Sequence, residues 1–225
     1  MPSELANSPS HLPQEAELIA RVAWLIRLRW VAVAAVFIVT PVARHLLSFS
    51  LPWIQLYFIG GAILLYNVIF VWRLRILSGR ADTPITTFSR FAALQILLDW
   101  LALTLVVHYT GGAESPALSF FIFNAIVASI LLPARTAFLL AAFGVVLVVG
   151  LTLLEAWSIL PHWHIPEFHD PNAKGRLFLL SSLSVFISAI FISIYFATSI
   201  TRQLVRRTRE LAELKQDLEQ AYQQM

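Results

Sequence analysis

Long apolar runs alternate with short polar segments along this chain. An α-helix needs about 20 residues to cross the roughly 30 Å of hydrocarbon in a bilayer. The pattern therefore predicts an all-α membrane protein with six transmembrane helices, in which Pro133 separates a short fourth span from the fifth. The predicted spans cover approximately residues 28–47, 52–72, 90–109, 117–133, 136–159 and 176–199.

The pattern changes after the sixth span without a helix-breaking residue. The last span is therefore predicted to continue into a cytoplasmic, signal-transmitting coiled coil, which favours a dimer. An amphipathic tail on the membrane surface is the alternative, but its acidic residues would be repelled by anionic headgroups. The apolar residues at heptad positions a and d are Leu204, Leu211, Leu214, Leu218, Ala221 and Met225.

The residues ahead of the first span are more polar. Residues 1–13 contain Ser and Pro and are predicted to be disordered. Between Gln14 and Arg29, apolar residues recur at helical spacing beside arginines, which predicts either an amphipathic helix along the headgroups or an extension of the first span. The predicted domains are an N-terminal tail with an amphipathic helix (1–27), a six-helix transmembrane domain (28–199) and a coiled-coil linker (200–225).

Composition supports the same class. Hydrophobic residues make up 58% of the chain, charged residues make up 13%, and the mean hydropathy is +0.74. The net charge of +3 does not indicate nucleic-acid binding, because the basic residues lie at the ends of apolar runs, as in multi-pass membrane proteins. The chain has no cysteine, which excludes disulfides, thiolate metal ligands and thiol redox switches within it.

The positions of Lys and Arg predict the orientation in the membrane. In a six-span arrangement, Arg44, Lys174 and Arg176 lie on one side and all other basic residues lie on the side of the two termini. The positive-inside rule therefore places both termini in the cytoplasm. The basic residues on that side are Arg21, Arg27, Arg29, Arg73, Arg75, Arg80, Arg90, Arg135, Arg202, Arg206, Arg207, Arg209 and Lys215.

Asp99 is a carboxylate halfway along the predicted third span. A charged side chain at that depth costs about 2.5–3.5 kcal/mol on insertion scales, so a partner or a function is expected. Gln95 lies one helical turn earlier, while Asn67 in the second span and Asn124 in the fourth are predicted cross-helix partners. Asp99 is interpreted either as part of a site for a polar ligand group or proton-linked switch, or as a structural hydrogen bond between helices.

The turn after the third span reads GGAESP. Gly111 and Gly112 permit positive φ angles and a close backbone approach, and Pro116 suits the first turn of a helix. Ser115 can cap the fourth span, and Glu114 near a helix N-terminus is favoured by the helix dipole. On local chemistry alone, this segment is a helix–turn–helix connection.

The predicted loop before the sixth span carries histidines and carboxylates, which suit Zn²⁺ or Ni²⁺. However, H-x-H spacing on a short loop is a common pattern, and three prolines limit convergence of the side chains. No metal site is therefore predicted, and the loop is expected to lie at the membrane interface. The histidines are His162, His164 and His169.

Several segments together resemble one family. Residues 28–30 read LRW at the start of the first span, residues 97–116 read LLDWLALTLVVHYTGGAESP, and a basic LLPAR turn follows the fourth span. With the helical exit after the sixth span, these segments resemble the membrane sensor region of RegB/PrrB-type bacterial histidine kinases over most of residues 24–225. The resemblance implies a homodimeric sensor in the bacterial inner membrane that signals to a cytoplasmic kinase domain or response regulator.

The resemblance also implies a cofactor. In that family the outward turn between the third and fourth spans reads GGxxNPF and is implicated in sensing the redox state of ubiquinone. Here Ser115 replaces the Asn and Ala117 replaces the Phe, which removes an amide and an aromatic ring available for quinone contacts. The candidate quinone site comprises Asp99, Gly111, Gly112, Glu114, Ser115 and Pro116.

Kinase chemistry is not expected from this stretch of sequence. After Leu204 there is no His-Glu phosphoacceptor pattern, Asn box or Gly-rich ATP lid. The chain is therefore expected to be the input part of a protein-histidine kinase or to signal through a partner. The alternatives are a small multi-span transporter or channel, which would show polar residues along several spans and an internal repeat, and an intramembrane enzyme, which would need convergent acidic or histidine side chains.

Overall fold

A computed structural model describes residues 11–46, 48–79, 85–163 and 176–223, and the regular structure in these ranges is helical. Two 3₁₀ turns, Gly112–Glu114 and Pro116–Leu118, connect the third and fourth α-helices. The α-helices are α1 (His11–His45), α2 (Trp53–Ser78), α3 (Ile85–Tyr109), α4 (Ser119–Leu131), α5 (Ala134–Ala156) and α6 (Arg176–Gln223).

The described helices α1, α2, α3, α5 and α6 contain 5 segments that are long and apolar enough to cross a membrane. The remaining one, α4, has only 13 residues, which corresponds to about 20 Å of helix. Pro133 explains the early end of α4, because the residue before a proline is disfavoured in the α region, and Leu132 is extended with φ −117° and ψ 155°.

The first helix begins earlier than the predicted first span. α1 is continuous from His11, and its apolar part begins at Ile19, so the segment expected ahead of the span extends the same helix. Arg29 consequently lies inside the bundle rather than ahead of it, with only 4% of its surface exposed. The physical reason is an acidic partner on α3, described below.

The third helix occupies the centre of the bundle. It packs against α1, α2, α4 and α5, while α6 packs mainly on α4 and also on α5. The fully buried Trp100 of α3 lies against Gly144 of α5, where an added Cβ would come within 1.6 Å of the indole ring. The Trp100 ring also meets Phe121 of α4 edge to face, and Phe121 meets Phe186 of α6 in the same way, each at 5.7 Å between centroids.

The α3–α4 turn and the segment after α5 lie at the same end of the bundle, here called the turn end. Tyr109 packs against Trp163 there with 5.7 Å between ring centroids. The opposite end, here called the exit end, contains the Leu132–Pro133 connection between α4 and α5, and α6 leaves the bundle from it.

The sixth helix is unbroken over 48 residues, or about 72 Å. Its last part extends beyond the bundle, so Leu204, Leu211 and Leu214 are 60%, 68% and 66% exposed. These leucines form the apolar face that the heptad pattern predicts for a coiled coil. The coiled coil and the dimer both stay predictions, and Met225 lies outside the described residues.

Candidate functional site

Five polar side chains from three helices meet inside the bundle and are here called the central cluster: Arg29 of α1, Tyr66 and Asn67 of α2, and Gln95 and Asp99 of α3. The two α3 members are four residues apart and therefore lie on one helix face. Asn67 and Gln95 are fully buried, and the side chains of Arg29 and Asp99 are 3% and 17% exposed.

Arg29 and Asp99 form a bidentate ion pair at the centre of this cluster. The Nε atom of Arg29 donates to Asp99 Oδ1 at 2.7 Å, and Nη2 donates to Oδ2 at 2.8 Å. This fork geometry is the strongest arrangement of an arginine on a carboxylate, because two charge-assisted hydrogen bonds form in parallel. The pair brings one positive and one negative charge into the bundle, so together the two side chains add no net charge there.

Further hydrogen bonds join the pair to the other members of the cluster. Arg29 Nη1 donates to Asn67 Oδ1 at 3.0 Å and to Gln95 Oε1 at 3.2 Å, and Tyr66 donates its hydroxyl hydrogen to Asp99 Oδ1 at 2.8 Å. The guanidinium also lies over the rings of Tyr66 and Phe70, at 5.4 and 5.2 Å from their centroids. These contacts offset part of the cost of burying the charge pair. Gln95 Nε2 stays buried without a hydrogen-bond partner in the described part of the chain.

The principal partner of Asp99 was missed by sequence reasoning, which assigned Arg29 to the membrane flank. Asn67 and Gln95 were expected to accompany Asp99, and they belong to the cluster, where they hydrogen-bond to Arg29. Asn124 of α4 was also expected there, but it is half-buried and makes no hydrogen bond to the cluster. The available signal was the apolar sequence on both sides of Arg29, which allows the span to begin near Ile19.

A second polar group lies at the turn end and is here called the clasp: His108 of α3, Glu155 of α5 and His162 beyond α5. The Nδ1 atom of His108 is 2.6 Å from Glu155 Oε1, and Nδ1 of His162 is 2.8 Å from Oε2. A neutral imidazole that carries its hydrogen on Nδ1 donates to a carboxylate in this arrangement. The clasp therefore ties α3, α5 and the following segment together through one carboxylate.

The glycines of the GGAESP turn leave room for the Glu155 carboxylate of the clasp. Gly111 and Gly112 have φ angles of +109° and +59°, which L-residues with side chains rarely adopt. A Cβ on Gly112 would lie 2.3 Å from Glu155 Oε2, so the carboxylate occupies space that only glycine leaves open. The turn and the clasp are thus in direct contact.

Ser115 stabilises the same turn from inside. Its Oγ accepts a hydrogen bond from the Ala117 N–H at 3.1 Å and pairs with the Thr110 hydroxyl at 2.5 Å. Ser115 therefore caps the 3₁₀ turn Pro116–Leu118, whereas the N-cap residue of α4 itself is Leu118. Glu114 is half-buried and Pro116 is exposed on the same turn.

The described residues contain no group of three or more histidines and carboxylates arranged to hold a metal ion. His162 lies in the clasp, whereas His164 and His169 fall outside the described residues. Glu155 and His108 were not singled out from the sequence as a pair, because 47 positions separate them and only the packing of α3 on α5 brings them together.

The helices of the bundle are long and apolar, the Arg29–Asp99 charges are paired inside it, and large apolar side chains cover its outer surface. These features are those of a multi-pass membrane protein. The family model described as the PilS-like transmembrane domain matches residues 12–213. The chain belongs to this family of PilS-like transmembrane domains. PilS is a sensor histidine kinase, so the match supports a multi-span membrane region of a sensor kinase.

The match covers every described helix from the start of α1 to the exposed part of α6. Neither curated proteins nor solved structures gave a match to this chain.

Proposed function

We propose that this chain is the signal-input domain of a two-component histidine kinase in the inner membrane of a bacterium. A stimulus at the turn end changes the packing of the helices. The change reaches the exit end, on the cytoplasmic side, as a rotation or register shift of α6. A dimeric coiled coil formed by residues 204–223 then passes it to a kinase domain of the same protein or to a partner.

The continuity of α6 is the observation that carries this proposal. Near the turn end, the Ser182 hydroxyl donates to the backbone oxygen of Ala113 at 3.4 Å, so α6 contacts the α3–α4 turn. From there the helix runs without interruption to Gln223 and extends its leucine face beyond the bundle. One continuous helix therefore touches the proposed input site and forms the proposed output.

The clasp and the central cluster supply the contacts that can differ between two packings. A ligand shifts a conformational equilibrium only through its different affinity for the two states, and about 5.5 kcal/mol would invert a 1:99 population. Rearranging the hydrogen bonds of Glu155 alters the contact between α3 and α5 directly. The hydrogen bonds of the central cluster then hold α1 and α2 in position against α3 when the packing of α3 changes.

The redox state of a membrane quinone is the stimulus that we propose at the turn end. Gly111, Gly112 and Pro116 are the residues that this chain shares with the quinone-sensing turn of RegB/PrrB-type kinases. The Tyr109 and Trp163 rings, which lie at 58° to each other, supply aromatic surface next to that turn. In this proposal the two rings take the place of the Phe that the family has where this chain has Ala117.

Binding of a ubiquinone analogue to the purified chain tests the stimulus. Gly112→Val places a branched side chain on Glu155 and is expected to abolish binding. Gly150→Val is the matched control, because an added Cβ at Gly150 meets nothing within 4 Å. Equal binding by the two variants would remove the turn as the quinone site and leave the mechanical part of the proposal standing.

Insertions in α6 test the mechanical part. With a histidine-kinase core joined after the coiled coil, seven extra residues after Gln203 shift the phase of the helix by only about 20°. Two extra residues rotate the distal part by about 200°. Stimulus-dependent autophosphorylation should survive the first insertion and be lost or inverted by the second. Identical responses to both insertions would contradict transmission through α6.

A further inference from the structure

An apolar groove runs along α6 where this helix approaches the exit end. Its volume is about 960 Å³. Residues 192–212 of α6 form one wall, and Ile126 and Ile130 of α4 form the other. Arg21 of α1 is the charged residue of the lining, and its Nη1 donates to the backbone oxygen of Ile130 at 3.0 Å. Ile130 and Ile200 are 38% and 55% exposed, so the groove opens to the outside of the bundle.

The heptad positions a and d of α6, here called the seam, lead into this groove. Nearer the turn end, the seam residues Phe186 and Ile190 are buried in the core of the bundle. Beyond the groove, the seam continues to the exposed leucines, with Arg207 as a charged residue at one d position, which lowers stability but can fix the register. The seam residues that line the groove are Ser193, Ala197, Ile200 and Leu204.

The continuity of α6 determines what can lie beside these residues in a dimer. Two copies whose leucines meet in the proposed coiled coil have helix axes about 8–10 Å apart and cross at about 20°. Ser193 lies 11 residues before Leu204 on the same unbroken helix, which is about 16 Å along the axis. Over that distance the two axes separate by only about 6 Å more. The second α6 is therefore still alongside the groove at this depth.

The charges next to the seam favour a second copy in the same orientation. Glu210 and Lys215 occupy positions g and e, and a g residue pairs with the e residue five positions later on a parallel partner helix. Both side chains are exposed, and within one copy they pair with Arg206 and Glu219 on the helix surface. Two copies with the same orientation in a membrane are parallel, so this charge pattern suits a second copy of the chain.

We propose that the groove seats α6 of a second copy, which packs against Ile126 and Ile130 of α4 as well as against α6. This inference rests on the proposed dimer and extends its interface from the cytoplasm into the membrane. Ser193 and Ala197 are small, which allows two helix backbones to approach closely in a bilayer. Two-fold symmetry makes the contact reciprocal, so each α6 lies in the groove of the other copy. A change in the packing of α4 in one copy then acts on α6 of both copies.

Cross-linking between two differently tagged copies of the whole chain in native membranes tests this seat. One copy carries Ile126→Cys in α4, the other carries Ala197→Cys in α6, and the chain has no cysteine of its own. Oxidation with copper phenanthroline should join the two tags. Leu139→Cys replaces Ile126→Cys as the matched control, because Leu139 is 72% exposed on α5 and does not line the groove. It should give at least tenfold less product.

Leu214→Cys in both copies reports the cytoplasmic coiled coil separately. Cross-linking at Leu214→Cys without a product between Ile126→Cys and Ala197→Cys would leave the coiled coil standing and show that lipid fills the groove, which overturns the seat. Absence of both products would overturn the dimer and the seat together. Equal products with Ile126→Cys and Leu139→Cys would show random collision and also overturn the seat.

Filling the groove provides a test that does not depend on cysteines. Ala197→Phe places a ring where the second helix packs, so the dissociation constant of the dimer in liposomes should rise about tenfold or more. Ser199→Phe is the matched control, because Ser199 is exposed on the same helix and does not line the groove. Energy transfer between labelled copies at several protein-to-lipid ratios measures both. If Ala197→Phe melts like Ser199→Phe and dimerises equally well, the seat is overturned.

Discussion

A buried guanidinium needs acceptors for its hydrogens, and Arg29 finds them on two neighbouring helices. Asp99 supplies the opposite charge, and the amide oxygens of Asn67 and Gln95 accept from the remaining Nη1. Mutual satisfaction of this kind makes a charge pair tolerable in hydrocarbon, where either residue alone would be costly. The pair thereby fixes the positions of α1, α2 and α3 relative to one another.

Breaking this pair should cost more than removing it. Asp99→Leu leaves Arg29 buried without a counter-ion, and we expect a loss of about 3–5 kcal/mol in unfolding free energy. The double variant Arg29→Met with Asp99→Leu removes both charges and should recover much of that loss. Reversible unfolding in mixed micelles measures both. Additive losses in the double variant would show that the two side chains do not act as a pair.

The contact between Trp100 and Gly144 is the tightest site for an added side chain in the described bundle. Gly144→Ala would place a methyl group inside the indole, so the helices must separate, and overpacking of this kind costs about 1–3 kcal/mol or more. Gly150→Ala on the same helix meets no atom within 4 Å and serves as the control. Thermal unfolding should show a large loss for the first variant and little change for the second, whereas equal melting temperatures would contradict this packing.

At the scale of elements, the clasp joins parts of the chain that the sequence presents separately. The GGAESP turn and its Ser115 cap could be predicted, because turn chemistry is local. Glu155 could not be assigned a partner from the sequence, because its contacts with His108 and Gly112 depend on how α5 packs against α3. The end of α4 at Leu131 depends on the neighbouring Pro133, which is a local signal. The apolar pattern alone does not show where this helix ends.

The clasp also predicts a specific coupling between two residues. In Gly112→Ala the new methyl group displaces the Glu155 carboxylate, so the variant should lose the clasp as well as incur backbone strain. In a Glu155→Ala background the same glycine substitution should cost only the strain. A double-mutant cycle on stability, which isolates pairwise coupling, should therefore be non-additive. Gly111→Ala, whose Cβ approaches no atom closer than 3.8 Å, should be additive with Glu155→Ala.

At the scale of the molecule, hydropathy was sufficient to predict an all-helical membrane protein, and the long helices α2, α3 and α5 lie close to their predicted spans. The order of packing, with α3 at the centre, was not predictable, since lipid-facing and buried helix faces are both apolar in this chain. Arg29 shows the same limit, because the positive-inside rule counts charges by sequence position and cannot recognise one that is paired inside the bundle.

Events at the turn end are proposed to reach the exposed part of α6. Because the chain contains no cysteine, Leu211→Cys and Ala212→Cys can report cross-linking between two copies in native membranes without background. Leu211→Cys, at heptad position a, should cross-link faster than its neighbour, and adding Glu155→Ala should change the ratio of the two rates. A ratio that stays constant while Glu155→Ala remains folded would contradict the account.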